Sequence, residues 1–119
     1  MNCQPVILWQ NSDLTKNFLP QEVTLNDNIE NYSYYEIIYQ NLVTTSVTDF
    51  LYCKASTGKV PIDSPSFMAY PLNNQSSRPT GIPTGNTIRI KDGRYFDRST
   101  ESVIVSNNCC LPYRILGYK

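Results

Sequence analysis

The chain is predicted to be all-β: an antiparallel β-sandwich, jelly-roll-like, with roughly seven to nine short strands. Three observations carry this. Tyr, Ile, Val and Thr are plentiful, with nine Tyr, while Ala55 and Ala69 are the only alanines. These are strand formers in a chain poor in good helix formers. Asn, Ser and Thr together make 33 residues, so turn-forming side chains are frequent. Alternating apolar runs recur at sandwich-like spacing, with no convincing helical period. A length of 119 residues suits one domain, 1–119, with no room for a second core.

The elements follow in order. Val6-Ile7-Leu8-Trp9 is a short apolar run closed by the turn-rich Gln10-Asn11-Ser12-Asp13, and predicts a first strand. Phe18 to Leu25 alternates loosely, with Leu19, Gln21, Val23 and Leu25 on one side. Pro20 cannot donate to a ladder, so an edge strand is expected there. Asn26-Asp27-Asn28 breaks the chain. Tyr32 to Gln40 is the strongest signal: Tyr35, Ile37 and Tyr39 share one face, Tyr34, Glu36, Ile38 and Gln40 the other. Large side chains on both faces predict a central strand. Val47 to Ala55 is expected to pair with it antiparallel, joined around Asn41 to Ser46.

Long surface loops are expected near 54–66 and 73–86. The second carries Pro79, Gly81, Pro83 and Gly85 and almost no large apolar residue except Ile82. Deleting residues 74–85 is then expected to leave a folded domain with impaired assembly. Thr87 to Lys91 and Arg94 to Asp97 read as a hairpin around Asp92-Gly93. Ser102 to Ser106 places Val103 and Val105 on one face and Ile104 on the other. Leu111 to Tyr118 is a closing strand, whose Pro112 predicts an edge or a bulge near its start.

The chemistry is narrowed by what is missing. Ten Lys+Arg balance ten Asp+Glu, so no basic field favours nucleic acid or an anionic membrane. Zero net charge also permits packing against copies and neighbours. There is no His, which removes Ser/His and Cys/His catalysis and His-ligated zinc. No apolar run approaches the ~20 residues of a membrane span. Met1-Asn2-Cys3-Gln4-Pro5 carries no positive charge and does not read as a signal peptide, so synthesis in a cytoplasm is expected. Cys3, Cys53, Cys109 and Cys110 are then expected as thiols, although their even count leaves disulfides open. Adjacent Cys109 and Cys110 would point to opposite faces of a strand.

Asp92, Asp97, Glu101 and Glu36 are the carboxylates to weigh for acid–base chemistry. Asp92 is accounted for by its turn, and Asp97 and Glu101 by a solvated stretch beside Arg98. No catalytic residue, cofactor or metal is expected. Trp9, Tyr35, Tyr39 and Phe50 are expected in the core. Tyr32, Tyr34, Tyr70 and Tyr95, with Arg78 and Ile82 from the 73–86 loop, are the candidate partner or ligand contacts.

The two ends carry a resemblance. Leu8-Trp9-Gln10-Asn11, Phe18 to Leu25 and Tyr35-Glu36-Ile37-Ile38-Tyr39 resemble the start of a family of small bacteriophage minor structural and tail-fibre domains. Leu111-Pro112-Tyr113-Arg114-Ile115-Leu116-Gly117-Tyr118-Lys119 is similar to that family's closing strand. The middle, Lys54 to Lys91, lies outside the resemblance. What it implies is a β-sandwich in the virion, often part of tail or receptor-binding proteins, with no catalytic residue to carry over.

The function expected is a non-enzymatic bacteriophage virion protein, a tail-fibre or baseplate module of receptor-binding type. Its expected partners are other virion proteins, further copies of itself as a homo-oligomer, and a host cell-surface glycan or protein. A capsid or tail decoration or head-fibre protein is the alternative within that class. A small carbohydrate-binding module or polysaccharide hydrolase is the alternative outside it.

Overall fold

A computed structural model describes residues 4–42, 50–51, 60–61, 72–73 and 76–119. Among these are β1 (Val6–Gln10), β2 (Gln21–Thr24), β3 (Tyr34–Leu42), β4 (Phe50–Leu51), β5 (Val60–Pro61), β6 (Leu72–Asn73), β7 (Ser76–Ser77), β8 (Thr87–Ile90), β9 (Arg94–Asp97), β10 (Ser102–Val105) and β11 (Leu111–Tyr118). The only helical turn among the described residues is the 3-10 turn Ile29–Asn31, where the Asn28 side chain accepts from the Glu30 N–H. The protein is all-β and its strand pairs are antiparallel, as the composition predicts. The strands outnumber the expectation because β4 to β7 are two-residue pieces.

Three sheets result. The largest runs β1-β11-β3-β4, with β5 also on β3; a second runs β10-β9-β7-β6; β2 and β8 form the third. The architecture is sandwich-like, but a jelly-roll order is not evident. The core lies where the large sheet meets β2 and β8. Leu8, Tyr35, Ile37, Tyr39, Leu111 and Ile115 come from the large sheet, and Val23, Ile88 and Ile90 face them. Each such side chain contributes roughly 1.5–3 kcal/mol by leaving water. This places the predicted Tyr35, Ile37, Tyr39 face inward. The opposite face of β3 is wetter: Tyr34 is exposed and Glu36, Ile38 and Gln40 are half-buried.

β3 is central, as its two bulky faces require, and β4 pairs with it at Asn41↔Leu51 and Leu42↔Phe50. The proline in β11 produces the bulge: the register with β3 shifts between Pro112 and Arg114. β11 itself is interior, between β1 and β3, so the edge alternative falls away. Pro20 ends up just outside its strand, which begins at Gln21, and Leu19 is 61% exposed rather than sharing the buried side of Val23 and Leu25.

The Asp92-Gly93 hairpin does not form. β8 pairs with β2, and β9 pairs with β10 and β7, so the two residues carry the chain from one sheet to another. Gly93 is needed there for closeness, not for a hairpin turn. Its carbonyl accepts from the Ser106 N–H at 2.8 Å, and a Cβ would lie 2.4 Å from the Ser106 carbonyl oxygen.

The break after β2 is organised by one carboxylate. Asp27 Oδ2 accepts from the Tyr32 hydroxyl at 2.9 Å, and Oδ1 accepts from the Asn28 N–H and the Asn31 amide. These bonds, the Tyr32 hydroxyl foremost, hold the Asp27 carboxyl below its ordinary 3.8. A depressed folded value means the stabilisation is complete above the ordinary value and is lost as pH falls through the folded one. An NMR titration of Asp27 should therefore give a midpoint below 3.8. Asp27→Asn should remove part of the acid limb of the stability curve; an unchanged limb would contradict this role.

Candidate functional site

The most heavily bonded side chain among the described residues is Arg78. It is fully buried. The chain reaches it from β7 and continues along β8: Lys91 N–H donates to Pro79 O, Gly81 N–H donates to Arg89 O, and Thr80 bridges Ile90. The backbone therefore passes through the interior at this point and carries the guanidinium with it.

That guanidinium sits where carbonyls from separate segments converge. Nε donates to Cys110 O at 3.2 Å. Nη1 donates to Phe18 O and Lys91 O, each at 2.9 Å, and to Asn107 Oδ1 at 3.1 Å. Nη2 donates to Asn107 O at 3.1 Å and Cys109 O at 2.9 Å. Five N–H donors are thus shared among six acceptors, the fork geometry that a lysine cannot reproduce. The Phe18 ring lies 5.8 Å beneath the charge. Burial lowers the Arg78 pKa, with the nearby Cys110, Tyr39, Cys109 and Asp92 groups pulling the other way.

This overturns two expectations. Residues 76–80 are not part of a surface loop, since Ser76, Arg78 and Thr80 are all buried. Arg78 is also not a contact for an external partner: it ties the start of β2, the end of β8 and the β10–β11 connection together. Prolines and a low apolar content suggested solvent because a buried charge is normally excluded from a core. Here six converging oxygens supply the compensation.

The thiols next to it are structural in character. Cys109 is half-buried and Cys110 fully buried, and both carry thiols. They precede β11 rather than forming a strand of their own, and Cys110 adopts a left-handed φ of 47°. The Cys110 thiol lies 3.3 Å from the Ser76 hydroxyl. Burial raises the Cys109 pKa, which keeps it a neutral thiol and a poor nucleophile. Cys3 and Cys53 lie outside the described residues.

The tyrosine candidates divide. Tyr32 is only 7% exposed, its hydroxyl is held by Asp27, and the Lys119 ammonium lies over its ring. It belongs to the fold rather than to a contact surface. Tyr34 is 43% and Ile82 36% exposed. Tyr95 is half-buried and sits opposite Ile104 and Ser76 on the inward face of its sheet. Tyr70 lies outside the described residues, as does the Phe50 side chain. Trp9 lies at the core's margin, half-buried and edge-on to Phe18 with ring centroids 5.8 Å apart. Tyr35 and Tyr39 are core residues, and burial pushes the Tyr35 hydroxyl up to about 12. No group of three or more metal-ligating side chains occurs among the described residues.

What the candidates omit is the outer face of the β9–β10 hairpin. Val103 is 65%, Val105 57% and Phe96 41% exposed. Val103 is paired directly with Phe96, and Val105 with Arg94, so all four side chains share one face. The alternation of β10 was readable in the sequence. Which of its faces meets water was not: the all-valine face is the more apolar of the two, yet Ser102 and Ile104 share the other face, and it is Ile104 that is half-buried.

The fold and the site together define a small antiparallel β-domain with a charged staple inside it and an apolar hairpin face outside it. Against family models, curated proteins and solved structures, the chain returns no match.

Proposed function

We propose that this chain is a non-enzymatic structural protein of a bacteriophage particle, a tail-fibre or baseplate-type module that binds other virion subunits. The observation that carries the binding role is the exposed Phe96, Val103 and Val105 face, which places apolar surface in water where a partner can cover it. The virion setting rests on the end patterns around Trp9, Tyr35 to Tyr39 and Leu111 to Lys119. The use of polar groups supports the non-enzymatic reading. Asp13, Asp27 and Asp97 bind their own turns, Glu36 accepts from the Tyr118 hydroxyl at 2.9 Å, and Arg78 is consumed by carbonyls.

The test is the place of the protein in purified particles. Gold-labelled antibody at the tail tip is the expected result. Label spread over the head assigns the decoration role instead, and absence from the particle overturns both. A specific signal on a glycan array from a protein absent from particles would point to a carbohydrate-binding module.

A further inference from the structure

Among the described residues two sheets have more than two strands, and the outer strands β1 and β10 are finished differently. At the edge of the large sheet, β1 is bulged between Ile7 and Trp9. Asn26 covers it, its N–H donating to Leu8 O at 2.7 Å and its side-chain amide to Ile7 O at 3.2 Å. A bulge and a covering side chain are standard protections against edge-to-edge association. β10 has neither. Among the described residues it pairs with β9 alone, in unbroken register. Its sequence, Ser102-Val103-Ile104-Val105, contains no charge, no proline and no glycine.

We infer that β10 pairs antiparallel with β10 of a second copy, about a two-fold axis near Ile104, making one continuous sheet through both hairpins. This rests on the reading of the chain as an assembling module and names one occupant for the open edge beside its apolar face. In this register Val103 of each copy lies opposite Val105 of the other. Each exposed valine is then flanked by a valine, and Phe96 and Arg94 complete the row on either side.

The charges at the two ends of the hairpin fit the same arrangement. The open end holds Lys91, Asp92 and Arg94, two positive and one negative; the turn end holds Asp97, Arg98 and Glu101, one positive and two negative. Antiparallel pairing sets the open end of one copy beside the turn of the other, so a net positive cluster meets a net negative one. Parallel pairing would set like against like. The whole chain has zero net charge, so no long-range repulsion opposes the approach.

Four paired residues and three apolar side chains per copy fall short of the ~1,200 Å² of a standard interface. The dimer is accordingly a weak one, with a dissociation constant on the order of 10 μM or above. In the particle, further contacts would add to it.

Analytical ultracentrifugation of the full chain in reducing buffer tests this. A concentration-dependent monomer–dimer equilibrium is expected. Val103→Lys should weaken it at least about tenfold, by placing charge in the centre of the pairing. Val105→Lys should act likewise and serves if the first variant fails to fold. Leu19→Lys, on a different exposed site, should leave the equilibrium unchanged. A monomer at every concentration, or an association indifferent to both β10 variants, overturns the inference. A monomer that still enters particles would overturn self-pairing and leave the virion reading intact; a β10 dimer absent from particles would do the reverse.

Discussion

Arg78→Met should cost about 3–5 kcal/mol of folding stability, read as a lower urea midpoint. Methionine fills much of the same volume but donates nothing. The carbonyls of Phe18, Lys91, Asn107, Cys109 and Cys110 then lose the donor they share, with Asn107 O keeping the Phe18 N–H. Each unsatisfied buried acceptor costs roughly 1–3 kcal/mol, partly relieved by local opening to water. A domain of this size has ~5–15 kcal/mol in total, so the variant sits near the threshold of folding. Arg78→Lys should recover little, because an ammonium offers three donors at one point and cannot span five carbonyls. A variant with wild-type stability would show that the carbonyls find water easily and that the staple is dispensable. The same contacts revise the deletion experiment. Removing residues 74–85 takes Arg78 and the 79–81 segment along β8 with it, so an unfolded product is now expected rather than a folded domain with altered assembly.

Gly93→Ala should cost about 3 kcal/mol by overpacking. The new methyl would lie 2.4 Å from Ser106 O, 2.8 Å from Cys109 O and 3.0 Å from Arg78 Nη2. Two of these neighbours are backbone, held by the same β10–β11 connection that receives the guanidinium, so relief requires the staple itself to shift. Gly93→Ala and Arg78→Met should therefore be non-additive when combined, by 1 kcal/mol or more on the order expected for residues in contact. Gly85→Ala is the control. Its φ is +59° but nothing lies within 4 Å of the added carbon, so only the roughly 1–2 kcal/mol cost of a left-handed conformation applies. Equal losses at Gly93 and Gly85 would refute the steric account.

Much of the sheet was legible because strand periodicity is local. The inward Tyr35, Ile37 and Tyr39, the central place of β3 and the bulge after Pro112 all follow from side chains within a few residues of one another. The Asp92-Gly93 turn misled for the same reason. A dipeptide reports which backbone angles it tolerates, whereas pairing β8 with β2 depends on residues 63 to 69 positions apart.

The site divides along the same line. Composition and alternation settle the all-β class, the strand-forming ends and the absence of His chemistry, since each is a property of residue types and their immediate spacing. The fate of Arg78 is settled only by assembly. A lone arginine among Pro, Ser and Thr reads as solvated, and becomes a staple only when Phe18, Lys91 and residues 107–110 bring their carbonyls to it. The Val103 and Val105 face is of the same kind. Local pattern would bury the valine face of β10, yet packing of the β9–β10 hairpin covers the Ile104 side and leaves Val103 and Val105 in water. Burial is a property of where segments meet, and no single segment carries it.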